Sequence, residues 1–555
     1  MEKDSRRTFK SLPQGLPHYI VLLMKQVTFF KNLKISTELV STLLVFTYGI
    51  VFMTIPNITT VYPIGHDTSA YLGNLKLMYE INFKSNYIYA YPLLPFFFSI
   101  LYSLGVNIVA FLKVYSILAY GVAGISVYYY ARKGLNWEKN KSLLTGIIFL
   151  SSPIALRIGW ELHSQFIATV LLFIALTQLS LLLKMENLTL KSVLRKRRFL
   201  LIIVLTIAIG WLHLLISALF LFILVFEFFI NTRKAKEASA VYLLCAFALA
   251  LSSSLSAILL APEPMTLVNP KNLQTAIGFI RPEYANGISW LVSLILFSYA
   301  IIIPLAFFGI FKKSQVLLMT IFPTLFLVLF SVNPSLPFVP PERIVYLYVY
   351  PFSLFASNGV YRLKNYGRNL KIKLNVLKVF FSIDSIILAI VLALLIFQSL
   401  NMTGLFQPVS PLANPPSGYP QNLQWAGVSI SEIGDVISVT EWYRTNMNFD
   451  SLLIVPDGAF GLVKYYLEER MPVVKWSVYY QPSANLLWLQ NGSLFFMQVD
   501  MPAKMINDLF AQDFNNLYIM YMPSWNISNA YTEIYPRIEN AVYQSGDVIL
   551  YKIRR

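Results

Sequence analysis

Apolar runs of membrane-spanning length recur along this chain, and they constrain its fold more than any other feature. A helix of roughly 18 or more apolar residues crosses about 30 Å of hydrocarbon. Of the 555 residues 56% are apolar and only 13% are charged, which excludes an ordinary water-soluble protein. We predict eleven spans, at 38–56, 108–131, 142–159, 164–183, 199–213, 214–230, 239–260, 288–310, 315–331, 343–361 and 378–399.

The distribution of positive charge predicts the orientation of these spans. Alternate connecting segments hold most of the lysine and arginine: 1–37, 132–141, 184–198, 233–236, 312–313 and 362–378. The opposite loops of the membrane region hold only Lys76, Lys84, Arg157, Lys271, Arg281 and Arg343. By the positive-inside rule, the N-terminus lies in the cytosol and the C-terminus outside the cell membrane. The net charge of +17 then reflects topology first and anionic membrane lipid second, and it does not call for nucleic acid.

The predicted fold is a polytopic α-helical membrane protein with a C-terminal extracytoplasmic α/β domain. The apolar segment His18–Phe30 is too short to cross and is predicted as an interfacial helix. Tyr91–Gly105 is short and contains two prolines, so we predict a helix in or dipping into the outer interface. The predicted divisions are a cytosolic N-terminal segment at 1–37, a membrane domain at 38–399, a linker at 400–430 and the outer domain at 431–555. The membrane domain includes the first outer loop at 57–106.

Helical and strand-like patterns alternate after the linker. VISVTEWYRTN, GLVKYYLEER and IYPRIENAVYQSG predict helices, and segments such as SLLIVP and VILYKI predict strands. No glycine-rich phosphate-binding loop or nucleophile motif marks this domain as catalytic. On the predicted topology four glycosylation sequons lie outside, which is consistent with an exported surface: Asn57, Asn401, Asn491 and Asn526.

Candidate functional residues are concentrated in the outer loops. Asp67 lies in an aromatic-rich first loop, where a carboxylate can act as a general base or cap a helix that starts near Thr68. Glu161 and His163 share a short outer turn and can supply metal ligands or a proton relay, or only wet a helix end. Arg343 at the mouth of a span can bind a phosphate or extend its side chain to the interface.

The layout resembles a known family. The matching features are Gly65, Asp67, Tyr71 and Leu72 in the first loop, the Tyr91-Pro92 element, Arg343 in a PPER turn, and an outward domain with an EWYRTN helix. This pattern resembles the C-fold glycosyltransferases that use polyprenyl-phosphate sugars: protein mannosyltransferases, aminoarabinose transferases and archaeal relatives. Leu93 replaces the second proline of the family's Tyr-Pro-Pro-Leu element. The segment Lys475–Tyr479 lacks the acid of the oligosaccharyltransferase motif, which argues against that branch.

The resemblance implies transfer of a hexose from a polyprenyl (dolichyl) phosphate to a protein or glycan acceptor at the outer membrane face. Asp67 would be the general base. The remaining implied site residues fall into three roles: Arg343 with Arg281 or Lys271 binding phosphate; His66, Tyr71 and Tyr91 binding substrate; Glu161 and His163 positioning the acceptor or a divalent cation, Mg²⁺ or Mn²⁺.

Two alternatives remain open at this point: a non-enzymatic membrane scaffold, and a lipid or solute transporter. A transporter favours charges or broken helices at mid-membrane. Lys113, Glu227 and Asp384 are the charges predicted within spans, and each is near a span end.

Overall fold

The computed structural model describes most of the helical region and parts of the C-terminal domain. Its described residues are 36–58, 62, 65, 68, 71–72, 93–185, 189–232, 236–260, 287–332, 341–367, 371–374, 379–402, 428, 432–467, 471–476, 484–490, 493–499, 514–523 and 537–554. The predicted interfacial helix at His18–Phe30 and most of the predicted linker lie outside these residues.

Helices make up most of the described chain. In the membrane domain they are α1 Thr37–Asn57, α2 Leu93–Ser103, α3 Ile108–Tyr129 (continued by a π-turn, Tyr130–Gly134), α4 Lys139–Ser151, α5 Pro153–Glu161, α6 His163–Leu183, α7 Leu190–Leu194, α8 Arg197–Leu212, α9 Leu214–Asn231, α10 Lys236–Leu260, α11 Gly287–Tyr299, α12 Ile303–Phe308, α13 Ser314–Val332, α14 Pro341–Tyr346, α15 Val349–Gly367 and α16 Ile383–Met402. A short hairpin, β1 Lys371–Leu374 and β2 Val379–Ser382, lies between α15 and α16.

Several of these helices are long and apolar enough to cross a membrane, which indicates a membrane protein. Among the described residues five qualify, and a bent pair makes a possible sixth: Thr37–Asn57, Ile108–Gly134, His163–Leu183, Leu214–Asn231, Lys236–Leu255, and the pair Lys139–Ser151 with Pro153–Trp160. Leu39, Leu43 and Leu44 on α1 are about half exposed, as expected of a face that contacts lipid rather than water. The other five predicted spans also coincide with helices, but their crossing stays a prediction.

Two sequence expectations change in the structure, and a third is confirmed. The predicted span at 378–399 begins as strand β2, because Val379–Ser382 pairs with β1, and its helix starts only at Ile383. The helix in Tyr91–Gly105 is confirmed as α2, and its eleven residues are too few to cross. Asn57 is unsuited to carry a glycan, because its side chain is buried and donates to the Met53 carbonyl at 2.9 Å.

Basic helix ends lie together at one end of the bundle. Lys133, where α3 ends, forms an ion pair with Glu38 in the first turn of α1 at 2.8 Å. Lys184, where α6 ends, donates to the Lys133 carbonyl at 3.0 Å. Lys141 near the start of α4 donates to the Asn358 side chain of α15. Helices that the charge pattern predicts to end or begin on the same side are therefore in contact at that end.

Glu227 is a buried charge of the same region. Its carboxylate accepts a hydrogen bond from the Ser314 hydroxyl at the start of α13 and another, at 2.9 Å, from Nδ2 of Asn231. A buried carboxylate is tolerated only where donors satisfy it. Glu227 therefore ties the end of α9 to the beginning of α13.

The C-terminal domain is an α/β domain, as the sequence predicts. Its elements are α17 Ile433–Asn446, β3 Ser451–Pro456, α18 Asp457–Tyr466, β4 Val473–Trp476, β5 Ala484–Gln490, β6 Ser493–Val499, β7 Asn516–Tyr521, β8 Ile538–Ser545 and β9 Val548–Ile553. Five strands form a mixed sheet in the order β4-β3-β7-β9-β8, in which β3 is parallel to β4 and β7. Strands β5 and β6 form a separate hairpin.

The helix predicted for IYPRIENAVYQSG is wrong. Residues 538–545 form strand β8, which pairs antiparallel with β9 across a turn at Gly546, where φ is +52°. The strand lies at the edge of the sheet and is largely exposed, so its polar residues do not have to alternate with apolar ones.

Candidate functional site

Two interruptions of the helices determine the position of His163. Pro153 has no amide proton for a continuous helix, so α4 ends at Ser151 and α5 starts at the proline, with a bend of 65° between them. Leu162 leaves the helical conformation (φ −102°, ψ 60°), and α6 starts at His163. The predicted outer turn is thereby reduced to a single non-helical residue, and His163 is buried.

The first loop is attached to this second break. The buried Thr68 hydroxyl donates to the Trp160 carbonyl at 3.3 Å and is hydrogen-bonded to Nε2 of His163 at 3.0 Å. A threonine hydroxyl can both donate and accept, so it can bond to the Trp160 carbonyl and the imidazole together. The loop and the helix break therefore form one hydrogen-bonded unit.

Tyr71 provides a second attachment of the loop. Its hydroxyl donates to Oγ of Ser164 at 2.9 Å and accepts from the Ser164 amide at 3.2 Å. The Tyr71 ring lies 5.5 Å from the His163 ring and 6.4 Å from Phe98 of α2, and Tyr115 of α3 approaches His163 edge-on at 5.6 Å. Tyr71 and His163, which the sequence nominated separately, are therefore neighbours in an aromatic cluster.

Several nominated residues lie outside the described part of the chain: Asp67, His66, Tyr91, Lys271 and Arg281. Asp67 is covalently joined to Thr68, and the Thr68 amide donates to the Gly65 carbonyl at 3.1 Å. Glu161 ends α5, and only its backbone is described. The roles of these side chains stay predictions.

Two arginines are linked through helix α14. Arg343 is half-buried in α14, and Tyr346 follows it by one helical turn. The guanidinium of Arg157 is 5.3 Å from the Tyr346 ring centre, and Arg157 is only 7% exposed. The Tyr299 hydroxyl donates to the Val345 carbonyl at 2.7 Å, which anchors α14 where it meets α15. Helices α5 and α14 thus bring two cationic side chains to one region.

His213 lies at a further break, between α8 and α9. Its backbone is extended (φ −163°, ψ 118°), it is buried, and it lies within electrostatic range of Arg343. Its carbonyl accepts from the Ser217 hydroxyl at 2.9 Å, which stabilises the first turn of α9. This burial indicates a packing role for His213 at the break.

A metal site is not assembled by the described residues. Among them no three His, Cys, Asp or Glu side chains lie close enough to hold an ion. The groups around His163 are hydroxyls and aromatic rings, whereas Mg²⁺ requires carboxylate or other oxygen ligands in octahedral geometry. A divalent ion would therefore need ligands such as Asp67 and Glu161, whose side chains lie outside the described part of the chain.

Sequence analysis missed several residues of this site: Thr68, Tyr115, Arg157, Ser164 and Tyr346. Arg157 did carry a signal, because it is one of few cations in the outer loops. The other four are ordinary residues of apolar or aromatic segments, and their importance follows only from contacts between helices that are distant in sequence.

Comparisons with known proteins leave the family open. A scan against models of protein families finds no match, and a search of curated proteins finds no similar sequence.

Proposed function

We propose that this protein is an integral-membrane glycosyltransferase. It transfers a sugar from a polyprenyl phosphate to an acceptor at the outer face of the cell membrane, with eleven spans, the N-terminus inside and the C-terminal domain outside. The main support is the attachment of the first loop, through Thr68 and Tyr71, to the buried helix break at His163. The helix before this break, α5, contains the buried Arg157. Asp67 immediately precedes Thr68 in the sequence, and this adjacency supports its assignment as the base.

The chemistry requires a base and a site for the leaving phosphate. Asp67 takes the proton of the acceptor hydroxyl as its oxygen bonds to the anomeric carbon. The bond from that carbon to the phosphate oxygen breaks, and polyprenyl phosphate leaves with the bonding electrons. Arg343, with Arg281 or Lys271, neutralises the phosphate, and Arg157 adds a buried cation against Tyr346 of the same helix as Arg343.

The test is transfer from a radiolabelled polyprenyl-phosphate hexose by membranes that contain the full chain. Asp67→Asn keeps the shape of the side chain and removes the base, so transfer should fall roughly 10²–10⁴-fold, the usual contribution of a general base. The matched control is Asp547→Asn, the same change at an exposed turn between β8 and β9, and it should transfer like wild type. Equal transfer by all three proteins would remove Asp67 from the mechanism.

One observation favours a second candidate, a lipid or solute transporter. The 65° bend between α4 and α5 is a broken span or a re-entrant segment, and discontinuous helices often line transport sites. If wild type transfers no sugar, movement of a fluorescent lipid across proteoliposomes should be measured next. Transport without transfer would favour this candidate, and neither activity would favour a scaffold.

A further inference from the structure

Helix α18 of the C-terminal domain is covered on more than one face. Ala459 and Val463 are buried in the core of that domain. Lys464 points in a different direction around the helix, about 100° from Val463, yet it is only 1% exposed. Tyr465 packs against the core of the membrane domain. The helix therefore lies between the sheet of its own domain and the membrane domain.

The first loop takes part in this contact. Tyr62 packs against the core of the C-terminal domain together with Tyr466. Burial, and then the neighbouring phenol of Tyr62, raise the pKa of Tyr466 to about 12. Tyr465 meets Tyr466 edge to face at 5.2 Å and is close to Tyr102 at the end of α2. We call these four residues, Tyr62, Tyr102, Tyr465 and Tyr466, the tyrosine seam.

Asp67 lies between two attachments of one short segment. Tyr62 is held by the C-terminal domain, and Thr68 and Tyr71 are held by the helix break at His163. A chain segment fixed at both ends has fewer accessible conformations than one fixed at a single end, and precise sites need such support.

We propose that the C-terminal domain is a positioning element for the Asp67 loop, and that Tyr465 and Tyr466 are the positioning residues. This proposal rests on the proposed function only for its catalytic consequence. A domain that solely bound the acceptor would not need to contact the loop that precedes Asp67. The position of the loop can be measured without any activity.

The test is a thiol-accessibility measurement on the purified full chain. The only cysteine, Cys245, is buried, so an introduced thiol reports alone. With His66→Cys as reporter, we expect Tyr466→Ala and Tyr465→Ala to raise the rate of maleimide labelling at least threefold. Tyr466→Phe keeps the ring and should restore the wild-type rate.

Tyr543→Ala is the matched control. Tyr543 lies on strand β8 of the same domain and stacks on Trp442 at 4.9 Å. Its replacement should leave the labelling rate unchanged. Unchanged labelling in both seam variants would overturn the proposal, and so would an equal rise in Tyr543→Ala, which would indicate general loosening of the domain.

The two proposals fail in different ways. A rise in labelling without sugar transfer by any variant would leave the positioning role and remove the glycosyltransferase. If Tyr466→Ala transfers sugar as well as wild type and its labelling rate is unchanged, the glycosyltransferase would stand and the positioning role would be removed. If both proposals hold, transfer should fall in Tyr466→Ala and recover in Tyr466→Phe.

Discussion

At the scale of single residues, the hydrogen bond between Thr68 and His163 joins two segments 95 positions apart. Thr68→Val and His163→Phe each remove it, and phenylalanine keeps a ring against Tyr71 and Tyr115. We expect each change to cost about 0.5–1.5 kcal/mol, and the double variant to cost less than the sum, because the same bond is lost. Thermal unfolding in mild detergent measures this coupling.

Thr177→Val supplies the comparison for that cycle. Thr177 is buried on the same helix as His163, but its hydroxyl donates to the Phe173 carbonyl within the helix. Combined with His163→Phe, its effect should be additive. Additive effects of Thr68→Val and His163→Phe would mean that the hydrogen bond between Thr68 and His163 contributes nothing to stability.

From the sequence, only those residues of the candidate site could be predicted whose side-chain type and position indicate a chemical role. His163 was identified because polar groups in outer loops are conspicuous against apolar spans, and Tyr71 because it matches the motif of the resembled family. Their proximity, and the part played by Thr68 and Arg157, depend on how helices distant in the sequence pack. The catalytic assignment of Asp67 stays a prediction, since it lies outside the described residues.

At the scale of helices, two glycines allow α12 and α15 to cross closely. A Cβ on Gly309, just after α12, would lie 1.8 Å from the Phe355 carbonyl oxygen, and one on Gly359 would lie 2.1 Å from that of Leu305. Backbone atoms cannot move aside as side chains do. Gly309→Ala and Gly359→Ala should therefore each destabilise the protein by roughly 1–3 kcal/mol or more and lower its unfolding temperature in detergent.

Gly434→Ala is the control for these substitutions. Gly434 lies in the first turn of α17, and a Cβ there meets no atom within 4 Å. Alanine should stabilise this helix by about 0.5–1 kcal/mol. If all three variants had the same unfolding temperature, the close crossing of α12 and α15 would be disproved.

The helices themselves were largely predictable, because each predicted span has a described helix within it. Periodicity and length do not show where a helix breaks, however. Breaks at Ser152, Leu162 and His213 arise from a proline or from local packing. The sheet was less predictable, because β8 takes its conformation from pairing with β9 rather than from its own pattern.

At the scale of the whole molecule, the C-terminal domain and the basic helix ends lie at opposite ends of the bundle. Tyr102, in the tyrosine seam, precedes α3, and Lys133, in the basic contacts, follows it. The 22 residues of α3 extend about 33 Å, which matches the hydrocarbon thickness of a membrane. The arrangement supports one domain outside and a basic face inside.

Introduced thiols can test this orientation, since Cys245 is buried. Lys196→Cys lies in the basic segment between α7 and α8, and Thr445→Cys lies on α17 of the C-terminal domain; both positions are exposed. With the N-terminus inside and an odd number of spans, a membrane-impermeant maleimide should label residue 445 on intact cells and residue 196 only after permeabilisation. The reverse pattern would invert the topology and place the Asp67 loop in the cytosol. Labelling of both thiols on intact cells would mean that the two ends of α3 are not separated by a membrane, and an outer-face glycosyltransferase would then be excluded.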